Sequence, residues 1–525
     1  MGKLFFVSIG TLSILLSFVF SVVILALLYA DAFSLGFAIV LTIIINVILW
    51  LVGPFISDWI NKWFYKVTFI TSEQVKAQYP QVYELINNVC TEKKFQFPKI
   101  GIIPDNNPTA YAYGSGRWNS RIIITQGIFH FLSPQEANAV IAHELGHIVN
   151  RDFIVMMIAG TLVQILYELY AVLIRVKGRS AGGLRIVAII SYVLYLIGTY
   201  MLYYLSRTRE SLADEFSASK TSAQDLAVAL IKIGYGIVTT DDSDRAKRLL
   251  QSTRHLGIID VKNAKGLGTT AYITNNNPAV LAEVMVFDAV SPWAKLIELG
   301  STHPLTGKRI SRLSDISMAS GKPFSFDVKG AIIRLAIDRK KLYSGFFLGA
   351  ILYFAPVIGA LITLLIEPKF VLVGIAAGLI LKALYKFSAT GTVATTILDE
   401  MRNPYASPLR GKPITLTGQV IGKGVPGYVF GEDMMYQDKT GITFMDYSSI
   451  IGFVGDFFFA LGKMKKIMQV NSIAQGWFFR GMSSYVSLKY IKTETVKVNS
   501  HPLLWALVPP ILLIGATFYI QLVYF

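Results

Sequence analysis

The stretch AVIAHELGHIVNRD, residues 139–152, decides how this sequence is interpreted. Two histidines four residues apart flank a glutamate, directly ahead of a long apolar run that begins at Phe153. Just before it, residues 133–136 read Ser-Pro-Gln-Glu, in which serine is a strong N-cap, proline suits the first helical position and glutamate completes a capping box. The sequence therefore predicts a helix that starts at about residue 134 and carries both histidines.

The two histidines of that helix are spaced to bind one metal ion. At 3.6 residues per turn, His143 and His147 stack on one face, and neutral imidazole is a good zinc ligand. Glu144 lies beside the ion rather than on it, which suits a general base for an attacking water. The alternative is a chance pattern, but the chain has only 6 histidines, so such a coincidence would be rare. The residues favour one catalytic Zn²⁺ per chain.

The rest of the chain is dominated by apolar stretches. Hydrophobic residues make up 53% of the 525 residues, and the mean hydropathy is +0.51, which is too apolar for an ordinary soluble protein. A helix crosses a bilayer with roughly 20 apolar residues. Seven stretches are long enough, namely 5–29, 33–55, 153–174, 186–205, 344–366, 370–388 and 502–525. The first is too long, and too closely followed by the second, for a cleaved signal peptide.

Charge indicates orientation rather than a nucleic-acid partner. The net charge is +16, but many lysines and arginines flank the apolar stretches, where they set topology. The polar regions 56–152, 206–343 and 390–500 are therefore expected on the cytoplasmic side of a cell membrane. The basic loop 175–185 is an exception that this topology does not explain. Cys90 is the only cysteine, which excludes a disulfide framework and a thiolate metal cluster.

A third metal ligand must come from another part of the chain, because catalytic zinc usually takes three protein ligands. The second polar region opens with SRTRESLADEF, residues 206–216, in which Glu210 and Asp214 share one helix face. We assign Glu210 as the ligand and Asp214 as an acceptor for a ligand histidine's other N–H. Glu215 is expected to face solvent. The alternative is an acidic pair that forms salt bridges with neighbouring arginines on a solvated helix end.

The two candidate ligand segments leave the membrane at similar heights. His147 lies six residues before the third apolar stretch, and Glu210 lies five residues after the fourth. At 1.5 Å per residue, both stand roughly 8–9 Å beyond the hydrocarbon if each helix extends straight out of it. The site is therefore expected at the membrane surface and not in the bilayer core.

HELGHIVNRD followed by SRTRESLAD resembles the HtpX-like membrane zinc endopeptidases, which are gluzincins related to the CAAX prenyl proteases. The resemblance covers roughly residues 1–320. It implies that His143, His147 and Glu210 are the zinc ligands. It also implies that Glu144 is the general base and that Asp214 supports a ligand histidine. It also implies digestion of unfolded or misassembled membrane proteins, as a form of quality control.

STHPLTGKRI, residues 301–310, resembles a later His-Pro element of the same family. The resemblance implies that His303 comes near the site as a catalytic residue that donates a hydrogen bond to the oxyanion. It implies that Arg309 pairs with Asp214 or a neighbouring acid. The alternative for His303 is an ordinary residue at a helix entry before Pro304.

Short β-branched or aromatic segments ahead of the zinc helix predict a small sheet, with strands at 99–105, 109–114 and 121–127. The edge of such a sheet can pair with an extended peptide through backbone hydrogen bonds. We choose the segment Ala110, Tyr111, Ala112 and Tyr113 as that edge. Small and aromatic residues alternate there, which is expected to leave shallow pockets. The alternative is a strand that binds no ligand.

The last polar region has a pattern of its own. It contains five predicted strands, at 413–421, 434–437, 442–447, 473–478 and 485–491, with a helix at about 450–468 after the third. This layout is typical of an OB-type barrel. Such barrels often bind nucleic acid. The helix here is too apolar for water and spans flank the barrel, so we favour a membrane-surface or partner-docking role, with no nucleic acid expected.

The sequence thus predicts a multi-pass α-helical membrane protein with an α+β zincin-like protease domain and a small C-terminal β-barrel. The predicted segments are 1–55 (membrane hairpin), 56–343 (protease domain including hairpin 153–205), 344–389 (hairpin), 390–500 (OB-like domain) and 501–525 (final span). Two other functions stay open at this point. One is a non-catalytic membrane scaffold with a structural zinc site closed by a fourth ligand. The other is a CAAX-type prenyl-protein endopeptidase.

Overall fold

The structure is a computed structural model that describes residues 32–177, 181–239, 277–388, 391–423, 433–481 and 484–524, together with 15, 18–19 and 22–23. The helices are α1 (Ala32–Tyr65), α2 (Ser72–Gln78), α3 (Pro80–Lys93), α4 (Gln126–Phe131), α5 (Pro134–Val149), α6 (Asp152–Leu173), α7 (Ala181–Lys220), α8 (Ala223–Thr239), α9 (Pro278–Val290), α10 (Pro292–Leu299), α11 (Thr306–Ala319), α12 (Val328–Arg334), α13 (Arg339–Ile366), α14 (Val371–Lys386), α15 (Ile397–Met401), α16 (Phe453–Phe458), α17 (Met464–Ile467) and α18 (Pro502–Tyr524). The strands are β1 (Thr68–Ile70), β2 (Lys99–Ile103), β3 (Ala110–Gly114), β4 (Ser120–Thr125), β5 (Val393–Ala394), β6 (Lys412–Lys423), β7 (Met434–Gln437), β8 (Ile442–Asp446), β9 (Asn471–Arg480), β10 (Ser484–Lys492) and β11 (Lys497–Asn499).

Membrane-length helices account for six of the seven predicted stretches. Among the described residues, those long and apolar enough to cross a membrane are Ile39–Tyr65, Asp152–Leu173, Ala181–Lys220, Arg339–Ile366, Pro368–Lys386 and Pro502–Leu522. The remaining stretch, 5–29, lies almost entirely outside the described residues. Helix α7 has 40 residues without a break, so the fourth span and the SRTRESLADEF segment form one continuous helix, as predicted.

The zinc helix α5 begins as the sequence predicts. The Ser133 side chain accepts a hydrogen bond from the Glu136 backbone N–H, and the Glu136 carboxylate accepts one from the Ser133 N–H, which confirms the capping box. The expectation that α5 continues straight into the membrane is wrong. It ends at Val149, and Arg151 adopts a left-handed conformation with φ 58° before α6 begins. This turn brings the side chain of Asp152 back toward the zinc helix.

The small sheet beside α5 has the order β1-β2-β4-β3, which leaves β3 at one edge. β4 pairs parallel with β2 and antiparallel with β3. The edge position of the chosen segment is therefore confirmed, whereas β1 was not predicted. Cys90, on α3, is 7% exposed and belongs to the core that this sheet shares with α5.

The C-terminal region forms a closed barrel of the predicted type. Strand β6 pairs with β7, β7 with β8, β8 with β10, β10 with β9, and β9 again with β6. Of these five pairs, only β8–β10 is parallel, and α16 and α17 lie between β8 and β9 along the chain. This closure in five strands, with helix after the third, is the OB-type arrangement.

The barrel contacts the protease region directly. Arg480 of β9 is 5% exposed and donates a hydrogen bond of 2.7 Å to the backbone carbonyl of Val284 on α9. Arg402 pairs with the Glu283 carboxylate on the same helix. The barrel and the protease region therefore lie on the same side of the membrane-length helices.

Candidate metal centre

Helices α5 and α7 pack closely enough to bring the predicted ligands together. A Cβ on Gly146 would lie 3.0 Å from the Ala213 Cα, so the two helices cross with little space for a side chain at this position. The Nε2 atoms of His143 and His147 are 3.2 Å apart. Glu210 Oε2 lies 3.4 Å from His143 Nε2, and Glu210 Oε1 lies 3.5 Å from His147 Nε2. We call these three residues the metal cluster.

The spacing of the metal cluster fits zinc. Zinc lies about 2.0–2.2 Å from nitrogen and oxygen ligands in a tetrahedral site, which places those ligands about 3.3–3.5 Å from one another. The observed separations are 3.2, 3.4 and 3.5 Å. Glu210 Oε2 is also buried without a hydrogen-bond partner among the described residues, which is costly for a carboxylate unless a cation binds it. No ion is part of the structure, but the type and spacing of the ligand atoms suit zinc.

Glu144 lies next to the cluster. It is 1% exposed, and both of its carboxylate oxygens are buried. Burial raises the pKa of Glu144 above its ordinary value, while the neighbouring His143 and His147 lower it. A buried carboxylate with a raised pKa suits a group that accepts and returns a proton.

Two aspartates contact the outer nitrogens of the histidines. Asp214 Oδ1 lies 3.0 Å from His143 Nδ1, the position that the helix-face argument assigned to it. Asp152 Oδ2 lies 2.6 Å from His147 Nδ1, a contact that the sequence analysis did not assign. The acidic residue three positions after the end of the zinc helix was the available signal. Arg309 grips Asp214 through Nε and an η-nitrogen, at 2.9 and 2.6 Å.

The structure places His303 against the metal cluster. Its side chain is buried, its Nε2 lies 3.6 Å from Glu210 Oε1, and its Nδ1 lies 3.0 Å from the Thr302 hydroxyl. The group of described residues whose ligand atoms all lie within 4.8 Å of one another contains the three cluster residues and not His303. His303 therefore lies beside the three ligands and does not complete the cluster as a fourth one.

The solvated-acid alternative for the α7 carboxylates is wrong. Glu210 and Asp214 are 6% and 2% exposed. Arg207 instead donates to the backbone carbonyls of Glu298 and Ser301, and Arg209 pairs with Asp152. Glu215, expected to face solvent, is partly exposed and lies 3.3 Å from Arg312.

A cavity of about 660 Å³ opens beside the cluster. Its lining includes Glu144, His147 and Glu210 on one side and β3 residues 112–114 on another. Membrane-length helices line the rest, with Trp50 of α1 and Gln164 of α6 among the contributors. The cavity therefore runs from the cluster along the sheet edge and between two spans.

The side chains of β3 do not leave the shallow pockets that we expected. Ala110, Tyr111, Ala112 and Tyr113 are all at most 9% exposed. Both tyrosines point toward α1, where Tyr111 donates to Asn61 at 2.9 Å and Tyr113 donates to Asp58 at 2.7 Å. α1 reaches these partners because it continues to Tyr65, ten residues beyond the predicted end of the span. What β3 presents to the cavity is its backbone edge.

The family model and the curated relatives of this chain agree on one family. Peptidase family M48 matches residues 76–317. A Protease HtpX homolog of Thermococcus sibiricus is 32% identical over 257 residues, which are 47% of this chain and 76% of that protein. A Protease HtpX homolog of Thermoplasma acidophilum is 28% identical over 251 residues, again 47% and 76%. The crystal structure of S. mikatae Ste24p aligns with 60% of this chain and 67% of that one, at 17% identity and a TM-score of 0.34.

Proposed function

This chain belongs to peptidase family M48 and is an HtpX-like membrane metalloendopeptidase, and we propose that it uses zinc to cut unfolded or misassembled membrane proteins on the cytoplasmic side of the membrane. The observation that carries the proposal is the metal cluster with its neighbour. The nearest ligand atoms of each pair of cluster residues are 3.2–3.5 Å apart, and the buried carboxylate of Glu144 lies beside them.

The metal would be held by His143, His147 and Glu210. When bound there, zinc supplies a Lewis acid that makes water more acidic and polarises the scissile carbonyl. Glu144 takes the proton from the attacking water and later passes it to the leaving amine, which its raised pKa favours. His303 lies at a suitable place to donate a hydrogen bond to the developing oxyanion.

The supporting residues fix the two imidazoles. The carboxylates of Asp214 and Asp152 each face a histidine Nδ1, which directs the other ring nitrogen of each histidine into the metal cluster. Arg309 holds Asp214 in turn with two hydrogen bonds. This arrangement sets the ring orientation before metal binds and lowers the entropy cost of assembling the site.

The substrate class is inferred from the sheet edge and the cavity. A peptide that pairs with the backbone of β3 is recognised mainly by its main chain, which gives loose side-chain specificity. The cavity that continues between α1 and α6 lies next to membrane-length helices, so a chain segment emerging from the bilayer would reach the site readily. Both features suit misassembled membrane proteins as substrates.

The test is cleavage of an unfolded reporter protein by purified protein in detergent, with and without added zinc. Glu144→Gln should lose about 10²–10⁴-fold in rate, the usual contribution of a general base, while zinc content stays at the wild-type value. Retained cleavage in Glu144→Gln would overturn the mechanism. Zinc bound without cleavage by the wild type would favour the scaffold function, and cleavage confined to prenylated peptides would favour the CAAX-type function.

A further inference from the structure

We propose that the outer helical segment of the barrel, residues 450–467, is a membrane-binding surface that inserts into the headgroup region of an anionic bilayer. It comprises a short lead-in, α16, α17 and the wider helical turn Phe459–Lys463 between them. We call it the interfacial segment. The proposal concerns a part of the chain outside the M48 match and does not depend on the proteolytic function.

The interfacial segment is apolar on both faces. One face packs into the barrel core through Phe459, Met464 and Ile467, each at most 2% exposed. The opposite face exposes Ile450 60%, Ile451 63%, Val454 55%, Phe458 64% and Leu461 43%. The last three follow the spacing of one helical stripe, four and then three residues apart. A continuous exposed apolar stripe of this kind marks a binding surface, because a freely solvated helix face is polar.

Contacts with the final span place this surface at membrane level. The Trp505 indole, in the first turn of α18, donates a 2.6 Å hydrogen bond to the Ser449 carbonyl, and the His501 N–H donates one of 2.7 Å to the Ser448 carbonyl. Gly452 has φ +59°, and a Cβ there would lie 2.9 Å from the Trp505 ring. Tryptophan is enriched where a span enters the interface. The exposed residues Ile450 and Ile451, which precede α16, therefore lie at the level where α18 enters the membrane.

Charge identifies the lipid that this surface fits. Lys463, Lys465 and Lys466 are exposed and follow the apolar stripe, and residues 457–470 contain no Asp or Glu. Apolar residues followed by clustered lysines are the composition of helices that lie in the interface and bind anionic headgroups. Helices α14 and α18 pack against each other and attach the barrel to the membrane at one place. The interfacial segment would hold the barrel against the bilayer at a second place.

Spin labels on the full-length protein in nanodiscs that contain phosphatidylglycerol test the insertion. In a Cys90→Ala background, Val454→Cys and Phe458→Cys carry the label, and Lys93→Cys is the control. Lys93 neighbours Glu92, which pairs with Lys220 at the far end of α7, well beyond the membrane. Labels on the stripe should be several-fold more accessible to oxygen than to a water-soluble nickel complex, and the control should show the reverse.

Two results would overturn the insertion. Labels at 454 and 458 that match the control would place the stripe in water. Labels shielded from both oxygen and nickel would mean that another protein surface covers it. The charge requirement has its own test, in which Lys463→Gln, Lys465→Gln and Lys466→Gln are combined with Val454→Cys. The ratio of oxygen to nickel accessibility should fall at least twofold in this variant and in neutral phosphatidylcholine discs, and an unchanged ratio would exclude recognition of anionic headgroups.

Discussion

At the scale of single residues, Asp152 connects the zinc helix α5 to helix α7. It is the first residue of α6, 2% exposed, and its carboxylate contacts both His147 Nδ1 at 2.6 Å and Arg209 at 3.1 Å. The histidine comes from the zinc helix, and the arginine lies one residue before Glu210 on α7. Asp152 therefore connects the helices that supply the ligands, through the turn at Arg151.

Removing that carboxylate should weaken metal binding without abolishing it. We expect Asp152→Ala to lower zinc affinity about 10–100-fold, the usual effect of losing a partner that orients a ligand histidine. Competition with a chelator of known affinity measures the change. Asp315→Ala is the control, because Asp315 is half exposed and pairs only with Lys329 on the surface in the contacts described. Equal affinities in the two variants would mean that Asp152 does not orient His147.

The two aspartates differ in how far the sequence could predict them. Asp214 lies on a regular helix, where the four-residue spacing from Glu210 fixes its face, so its place beside a histidine followed from helix geometry. Asp152 follows a residue with φ 58°, a conformation that arginine seldom adopts and that no local pattern specified. Its contact depends on the direction in which the chain leaves that turn, which is decided by the packing of α6 against α7.

At the scale of elements, the C-terminal hairpin depends on small residues. A Cβ on Gly374 of α14 would lie 2.2 Å from the Gly359 carbonyl oxygen of α13, and one on Gly359 would lie 2.1 Å from the Gly374 oxygen. Small residues let membrane helices approach closely where no hydrophobic effect holds them together. The two backbones are therefore in direct contact at these glycines.

A matched pair of alanine substitutions tests this contact. Gly374→Ala should lower the melting temperature of the detergent-solubilised protein, because the helices must move apart. Gly345→Ala, on α13 of the same hairpin, has nothing within 4 Å of the new Cβ and should be neutral or slightly stabilising. Thermal unfolding of the two variants beside wild type gives the comparison. A loss of stability in Gly345→Ala equal to that in Gly374→Ala would argue against close helix packing.

Elements with a strong local pattern were predicted well, and those set by tertiary contacts were not. The barrel strands, such as Met434–Gln437, matched the prediction because strand residues and turn residues alternate regularly there. Strand Thr68–Ile70 has three residues and no such signal, and it exists because it pairs with β2. The extension of α1 through Pro54 to Tyr65 was missed because hydropathy marks where lipid ends and not where a helix ends. The domain boundaries proposed from the sequence stay a prediction.

At the scale of the whole molecule, a buried arginine joins the barrel to the protease region. Arg480 donates to the carbonyls of Val284 and Met401 and lies over the Phe287 ring at 4.3 Å. Burial lowers its pKa to about 10, while Asp288 raises it, so it stays charged at neutral pH. Asp288 in turn accepts a hydrogen bond of 2.9 Å from the Gly307 N–H, on the helix that carries Arg309. The barrel therefore contacts α9, and α9 in turn contacts the helix that carries Arg309.

Replacing Arg480 should remove the stabilisation that the barrel gives to the protease region. Arg480→Met keeps most of the volume but removes the buried side-chain donor to the Met401 and Val284 carbonyls. A buried carbonyl left without its donor costs about 1–3 kcal/mol. We expect a lower denaturant midpoint for unfolding of the protease region, measured in detergent. Arg410→Met is the control, because Arg410 is exposed on the same domain. If Arg480→Met unfolds at the same midpoint as Arg410→Met, the barrel does not stabilise the protease region through this contact.

The zinc content of two glutamate variants tests the account's central claim, that one ion is held by residues of two separate helices. Glu210 and Glu215 lie on the same helix α7, but only Glu210 faces the histidine pair. Purified wild type and Glu215→Ala should each bind one zinc per chain by elemental analysis, and Glu210→Ala should bind almost none under the same conditions. Full zinc occupancy in Glu210→Ala, or its loss in Glu215→Ala, would contradict the assignment of the metal centre.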